Sequence, residues 1–207
     1  MNDLSHFFET YNLDKGKATY KHFHYANIYN DFFYKYRGTD VSIVELGVGH
    51  GGCLQMWKSY FGEQANVYGL DKEDGLLFEE SQIRCFVIDQ SKKEDLQKIC
   101  SLIPKIDIFI DDGSHINSHQ INTFETVFPS LSDGGLYIVE DTHTSYREKD
   151  FQGGYKKEGT FIEYCKNIID SFYYTETPDI IANNLINSIY FIAFYNAMVV
   201  IKKERLI

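Results

Sequence analysis

The sequence predicts an α/β fold built on a mostly parallel sheet, and three observations carry that prediction. Short β-branched runs alternate with segments whose apolar residues recur at helical spacing. One such run passes directly into Gly47-Val48-Gly49-His50-Gly51-Gly52. Two later runs end in the acidic patches Asp111-Asp112-Gly113-Ser114-His115 and Glu140-Asp141-Thr142-His143-Thr144. In open parallel sheets the carboxyl ends of the strands form the ligand crevice, so glycines and acids at those ends mark the place to look for function.

Taken in order, residues 11–17 are polar and turn-like and read as a connecting loop. Tyr25, Ile28, Tyr29, Phe32, Phe33 and Tyr36 then repeat at three-and-four spacing with Gly38 just beyond, which predicts an amphipathic helix packed against the sheet. A strand over 41–46 leads through the glycine loop into a helix marked by Leu54, Met56, Trp57 and Tyr60. The second strand, 66–70, ends at Asp71, and the third, 85–88, ends in Asp89-Gln90-Ser91. Residues 106–110 and 136–139 are apolar and β-rich, the latter entered through the turn Asp133-Gly134-Gly135. Between them Ile121, Phe124, Val127 and Phe128 make a helical stripe over 118–128, closed by Pro129, so this stretch is a βαβ unit. The runs 189–194 and 198–203 flank Tyr195-Asn196 as a β-hairpin would.

Composition fits one domain, 1–207, with a helical lid or packing segment over 1–38 and the sheet core over 39–207. At 207 residues and 43% hydrophobic content the chain can bury a sizeable core, and no linker, repeat or low-complexity stretch divides it. A formal net charge of −10 argues against general nucleic-acid binding, which needs cations against phosphates. Cys53, Cys85, Cys100 and Cys165 lack paired metal-site spacing. With no secretory signal at the N-terminus they read as free thiols, and the expected location is cytoplasmic. The apolar run 190–201 contains Asn196 and is too short for membrane insertion. The 16% aromatic content permits a homodimer without specifying one.

Gly47, Gly49 and Gly51 allow a tight turn and close backbone approach before a helix N-terminus, where a nucleotide-type ligand is expected. Asp71 is placed to accept hydrogen bonds from ribose hydroxyls. This order fits a nicotinamide dinucleotide and S-adenosylmethionine alike. Glu45, Asp89 and Gln90 add polar groups around such a cofactor, the first on the methionine side and the others toward adenine. The two acidic patches suggest a metal site with a histidine beside it. Asp111 fits support, helix-capping and turn roles, and His50, His119 and His143 are assigned none. Tyr146 and the glycine-containing stretch 151–154 belong to a long loop suited to substrate contacts.

The segments YNLDKG (from Tyr11), VELGVGHGG (from Val44), GLDK (from Gly69), IDQS (from Ile88), IDDGSH (from Ile110), GGLYIVEDTHTSY (from Gly134) and GTFIEY (from Gly159) resemble the macrocin and mycinamicin sugar O-methyltransferases and their small bacterial relatives. DDGSH together with EDTHTSY is specific to that group, whereas the glycine loop is shared by many families. The resemblance implies a Rossmann-like class I methyltransferase fold with a seven-stranded, mostly parallel sheet, helices on both faces and a C-terminal antiparallel hairpin. It implies S-adenosylmethionine as cofactor, held by Glu45, Gly47, Gly49, Gly51, Asp71, Asp89, Gln90 and Asp111. Carried over by motif, Asp112, Glu140 and Asp141 ligate magnesium or another divalent cation, and His115 is the general base. The implied acceptor is a hydroxyl of a sugar, sugar nucleotide or glycosylated metabolite, with Asp14, Lys15, Tyr25 and Tyr146 as lid or substrate contacts. The larger macrolide-sugar enzymes carry an additional N-terminal domain that is expected to be missing here. An NAD-dependent oxidoreductase and a non-catalytic cofactor-binding subunit of a biosynthetic complex are the competing readings.

Overall fold

The computed structural model describes residues 3–12, 21–74, 78–173 and 185–204; the expectations at Asp14 and Lys15 fall outside them. The strands are β1 (Ser42–Leu46), β2 (Asn66–Asp71), β3 (Ile83–Val87), β4 (Ile108–Asp111), β5 (Leu136–Glu140), β6 (Ile189–Tyr195) and β7 (Met198–Lys203). They form a seven-stranded mixed sheet in the order β3-β2-β1-β4-β5-β7-β6. Every residue of β1 and of β5 is buried, the pattern of strands covered on both faces. The chain packs as two compact units, Met1–Asp89 and Gln90–Ile207.

In the first unit β1, β2 and β3 run parallel, with Ser42 opposite Asn66 and Leu46 opposite Leu70. Helix α1 (Asp3–Asn12) lies within the segment 1–38 expected to be helical, and its last two residues take in the start of the polar run 11–17 that was expected to be a loop. Its apolar stripe is short, Leu4, Phe7 and Phe8, which gives periodicity little to register. Helix α2 (Tyr25–Phe33) takes the predicted aromatic stripe but ends before Tyr36, in a 3-10 turn over Tyr34–Tyr36. The stripe lies on helix α3 (Gly52–Phe61), where the sequence predicted the sheet: Tyr29 and Phe33 sit 5.2 and 5.5 Å from the Trp57 ring, and Phe33 lies 5.5 Å from Phe61. Edge-to-face and tilted contacts of this kind suit aromatic rings, whose faces and edges carry opposite partial charge.

In the second unit β4 and β5 are parallel, with Ile108 opposite Leu136 and Asp111 opposite Val139. Strand β7 pairs antiparallel with β5, and β6 closes the predicted hairpin through a turn in which Ala197 adopts φ 60°. Helix α5 (Asn117–Val127) is the predicted crossover, and its Phe124 stands 5.2 Å from Tyr137 and 4.8 Å from Phe128. Helix α4 (Lys93–Leu102) buries only Leu96 and Ile99, too thin a stripe for the sequence to announce. Helix α6 (Phe161–Ser171) starts at Thr160, whose hydroxyl accepts from the Glu163 amide at 3.4 Å, and packs Phe161 toward Phe124. Among the described residues no helix is long and apolar enough to cross a membrane. The four cysteines are free thiols.

Candidate functional site

In the first unit the glycine loop is held by the strand that follows it. Gly47, Gly49 and Gly51 take φ values of 98°, 52° and 80°, the left-handed region their lack of Cβ makes cheap. Asp71, at the end of β2, accepts from the Val48 amide at 2.9 Å through one oxygen and from the Glu73 amide at 3.0 Å through the other. The carboxylate expected to meet ribose hydroxyls is thus also the anchor of the loop. Gly51 caps α3, and a Cβ there would fall 2.4 Å from the Phe78 ring.

Glu45 turns out differently from an open cofactor contact. It is fully buried, with one carboxylate oxygen 2.8 Å from the Lys21 ammonium and the other accepting from the Trp57 indole at 2.7 Å. The Lys21 side chain is equally buried, so the two charges neutralise each other out of water. Nothing in the sequence signalled Lys21, one of three lysines over residues 15–21 and far from β1 along the chain. Tyr25 is fully buried, with the rings of His22, His24 and Tyr29 at 5.2, 4.7 and 6.5 Å, so it serves packing and presents no surface to a ligand. Asp89, the last residue of this unit, is half-buried.

In the second unit the parallel register of β4 and β5 brings both acidic patches to the same level. Asp112 and Glu140 have carboxylate oxygens within 4.8 Å of each other, and the ligating atoms of Asp112, His115 and Asp141 also lie within 4.8 Å. His115 Nε2 is 3.9 Å from Asp112 Oδ1 and 3.9 Å from Asp141 Oδ2, while His143 Nδ1 is 4.0 Å from the other Asp141 oxygen. These separations are too long for hydrogen bonds, so the groups surround a point without closing on one another. Glu140 is buried, whereas Asp112, His115 and Asp141 remain partly open. His115 and Asp141 both adopt left-handed backbone, φ 56° and 53°, rare for residues with a Cβ.

Asp111 stands apart from this cluster. It is fully buried and accepts from Gln90 Nε2 at 2.8 and 3.0 Å, from the Gly113 amide at 3.4 Å and from the Tyr137 hydroxyl at 3.5 Å. Burial raises its carboxyl to about 6, against the lowering effects of the Gly113 amide, His115 and Gln90, while Asp112 adds to the rise. Gln90 in turn accepts from the Ser114 amide at 2.9 Å, so Gln90 and Asp111 together shape the loop that carries His115. Thr142 donates its amide to the Ala197 carbonyl at 3.0 Å, tying the second acidic patch to the hairpin turn. Tyr146 ends a 3-10 turn over Thr142–Tyr146 and is half exposed. The long loop after it is tied down, with Gly153 and Gly154 donating to the carbonyls of Arg147 and Ser145 at 2.8 and 2.9 Å.

The strand order, the antiparallel β7–β6 edge and the glycine loop after β1 define the class I methyltransferase fold. No family model matches the chain. It is 40% identical over 162 residues to the 8-demethyl-8-alpha-L-rhamnosyl tetracenomycin-C 2'-O-methyltransferase of Streptomyces olivaceus, covering 74% of this chain and 42% of the relative. It is 37% identical over 161 residues to the demethylmacrocin O-methyltransferase of Streptomyces fradiae, covering 73% of this chain and 40% of the relative. The solved structure of a methyltransferase from the mycinamycin biosynthetic pathway, in complex with Mg, SAH and mycinamycin VI, matches with a TM-score of 0.85 at 33% identity, over 99% of this chain and 54% of that one. The chain therefore resembles the sugar O-methyltransferases of macrolide and tetracenomycin pathways, and it spans about two fifths of the length of these curated relatives.

Proposed function

We propose that the chain is an S-adenosylmethionine-dependent, divalent-metal-dependent O-methyltransferase that acts on a hydroxyl of a sugar, sugar nucleotide or glycosylated metabolite. The observation that carries this reading is the cluster of Asp112, His115 and Asp141, whose ligating atoms converge within 4.8 Å from the ends of two adjacent strands. The donor chemistry fits magnesium, since carboxylates are hard oxygen ligands and magnesium retains positions for water or substrate oxygen. Asp112, Glu140 and Asp141 would hold the ion. When bound, a divalent cation supplies Lewis acidity toward an acceptor hydroxyl and fixes its direction.

His115 would accept the hydroxyl proton at Nε2 as that oxygen takes the methyl group. This role needs the neutral ring with its lone pair on Nε2 and its proton on Nδ1. The glycine loop would receive S-adenosylmethionine, with Asp71 and Asp89 as the partly exposed carboxylates beside it. Glu45, Gln90 and Asp111 would act from behind, because they are buried. The same reading takes residues 1–207 as a single methyltransferase domain with a packing segment over 1–38, working in the cytoplasm, with homodimerisation open to a sedimentation measurement.

The test joins binding to turnover. Titration calorimetry should register S-adenosylmethionine, and mass spectrometry should find a methylated product in a panel of sugar nucleotides and glycosides. Cofactor binding without product from any acceptor would return the chain to a non-catalytic role. Displacement of S-adenosylmethionine by NAD would favour the oxidoreductase.

A further inference from the structure

The geometry points to Asn117 and Ser145 as a clamp that sets His115 against Asp141, making both of them positioning residues for the proposed transfer, on which this inference rests. Asn117 follows His115 by two residues and opens α5, and its side chain is fully buried. Both ends of its amide are used. Nδ2 donates to the Phe151 carbonyl at 2.7 Å, and Oδ1 accepts from the Ser145 hydroxyl and from the Phe161 amide, each at 2.7 Å. Four pieces of backbone meet on one side chain: the start of α5, the end of the 3-10 turn, the loop at Phe151 and the first residue of α6.

The link to Ser145 does not stand alone. Thr144, its neighbour, donates its hydroxyl to the His115 carbonyl at 3.0 Å. Thr144, which ends the second acidic patch, and Ser145, which follows it, therefore bind His115, which ends the first patch, and Asn117 just beyond it, and Ser145 and Thr144 are both buried. His115 carries one of these cross-links on its own carbonyl and Asp141 lies just before Thr144, each in left-handed backbone that local sequence does not favour. A side chain held by a short tether to a buried hydrogen-bond pair keeps its placement, and the 3.9 Å separation of His115 Nε2 from Asp141 Oδ2 is the quantity the clamp fixes. Outer groups that orient ligands in this way commonly govern metal affinity and rate together.

Ser145→Ala removes the cross-link, and with it the 3.4 Å hydrogen bond from the Ile162 amide in the first turn of α6, while leaving Asn117 its contacts with Phe151 and Phe161. We expect kcat to fall about 10-fold and Mn2+ affinity, read by electron paramagnetic resonance, to weaken by about 10-fold, as for other groups that orient ligands. The KM and dissociation constant for S-adenosylmethionine should stay within about twofold, since the cofactor loop is not touched. Asn117→Ala should reproduce the effect and, because it also uncaps α6, melt lower. Thr160→Ala is the control: it removes a cap from the same helix without touching the clamp, and should lower the melting temperature while leaving kcat and Mn2+ affinity alone. Wild-type kcat and Mn2+ affinity in Ser145→Ala, or an equal loss of both in Thr160→Ala, would overturn the clamp alone. A wild-type protein that neither binds Mn2+ nor transfers a methyl group overturns the proposed function and the clamp with it.

Discussion

His115 and Asp141 reach the acidic site through backbone conformations that a Cβ disfavours by roughly 1–2 kcal/mol each. Such strain persists where surrounding structure over-determines it, here Gln90 and Asp111 beneath the first loop and the Ala197 carbonyl behind the second. His115→Gln should keep S-adenosylmethionine affinity while turnover drops by about 100-fold or more, the scale of a lost general base. Initial rates alongside calorimetry check this, and undiminished turnover would remove His115 from that role. Asp141→Asn tolerates the same backbone but loses a charge, so Mg2+ half-saturation should rise at least about 10-fold. An unchanged metal dependence would exclude Asp141 as a ligand. At the glycine loop Gly51→Ala combines φ 80° with a 2.4 Å approach to Phe78, and a loss of about 1–3 kcal/mol in urea unfolding is expected. The acids of the site were legible because each follows a β-rich run. Lys21, Asn117 and Ser145 were not, because a lone polar residue reveals nothing until its partner is in place.

Among the elements, β4 and β5 do the positioning. Their parallel register sets Asp111 opposite Val139, and one step further along each strand puts Asp112 beside Glu140. A one-residue slip would turn every side chain to the other face, so the apolar runs that fix the register also fix the site. The βαβ unit and the C-terminal hairpin were readable for that reason: their periods are strong and their turn residues explicit. Helix α4 was not, since it buries only Leu96 and Ile99. The aromatic stripe of α2 was found, but the surface it covers was not, because periodicity reports an apolar face and not the partner. Phe33 meets Tyr29, Trp57 and Phe61, so Phe33→Ala should cost about 3–5 kcal/mol in stability, measured by chemical denaturation. A cost under about 1 kcal/mol would mean that α2 is not packed on α3 as described.

For the whole molecule, a cation held by the gathered carboxylates binds the folded chain in preference to the unfolded one, because only folding brings their oxygens together. Saturating Mg2+ at about a hundred times its dissociation constant should therefore add about 2.7 kcal/mol to stability, seen as a rise in melting temperature that chelation reverses. Indifference of the melt to Mg2+ would contradict the metal site without reference to any activity. What the sequence determined by itself was the succession of strands with the helices after Tyr25, Gly52 and Asn117, the glycine turn and the acids at strand ends. All of these follow from local periods and turn chemistry. What only the tertiary structure decided was which acids remain open to a ligand. Asp112 and Asp141 face partial solvent, while Glu45 is closed by Lys21 and Trp57, and Asp111 by Gln90 from 21 residues away. A carboxylate's availability depends on the charges and donors that burial brings to it, and those partners are chosen by packing and not by neighbours in the chain.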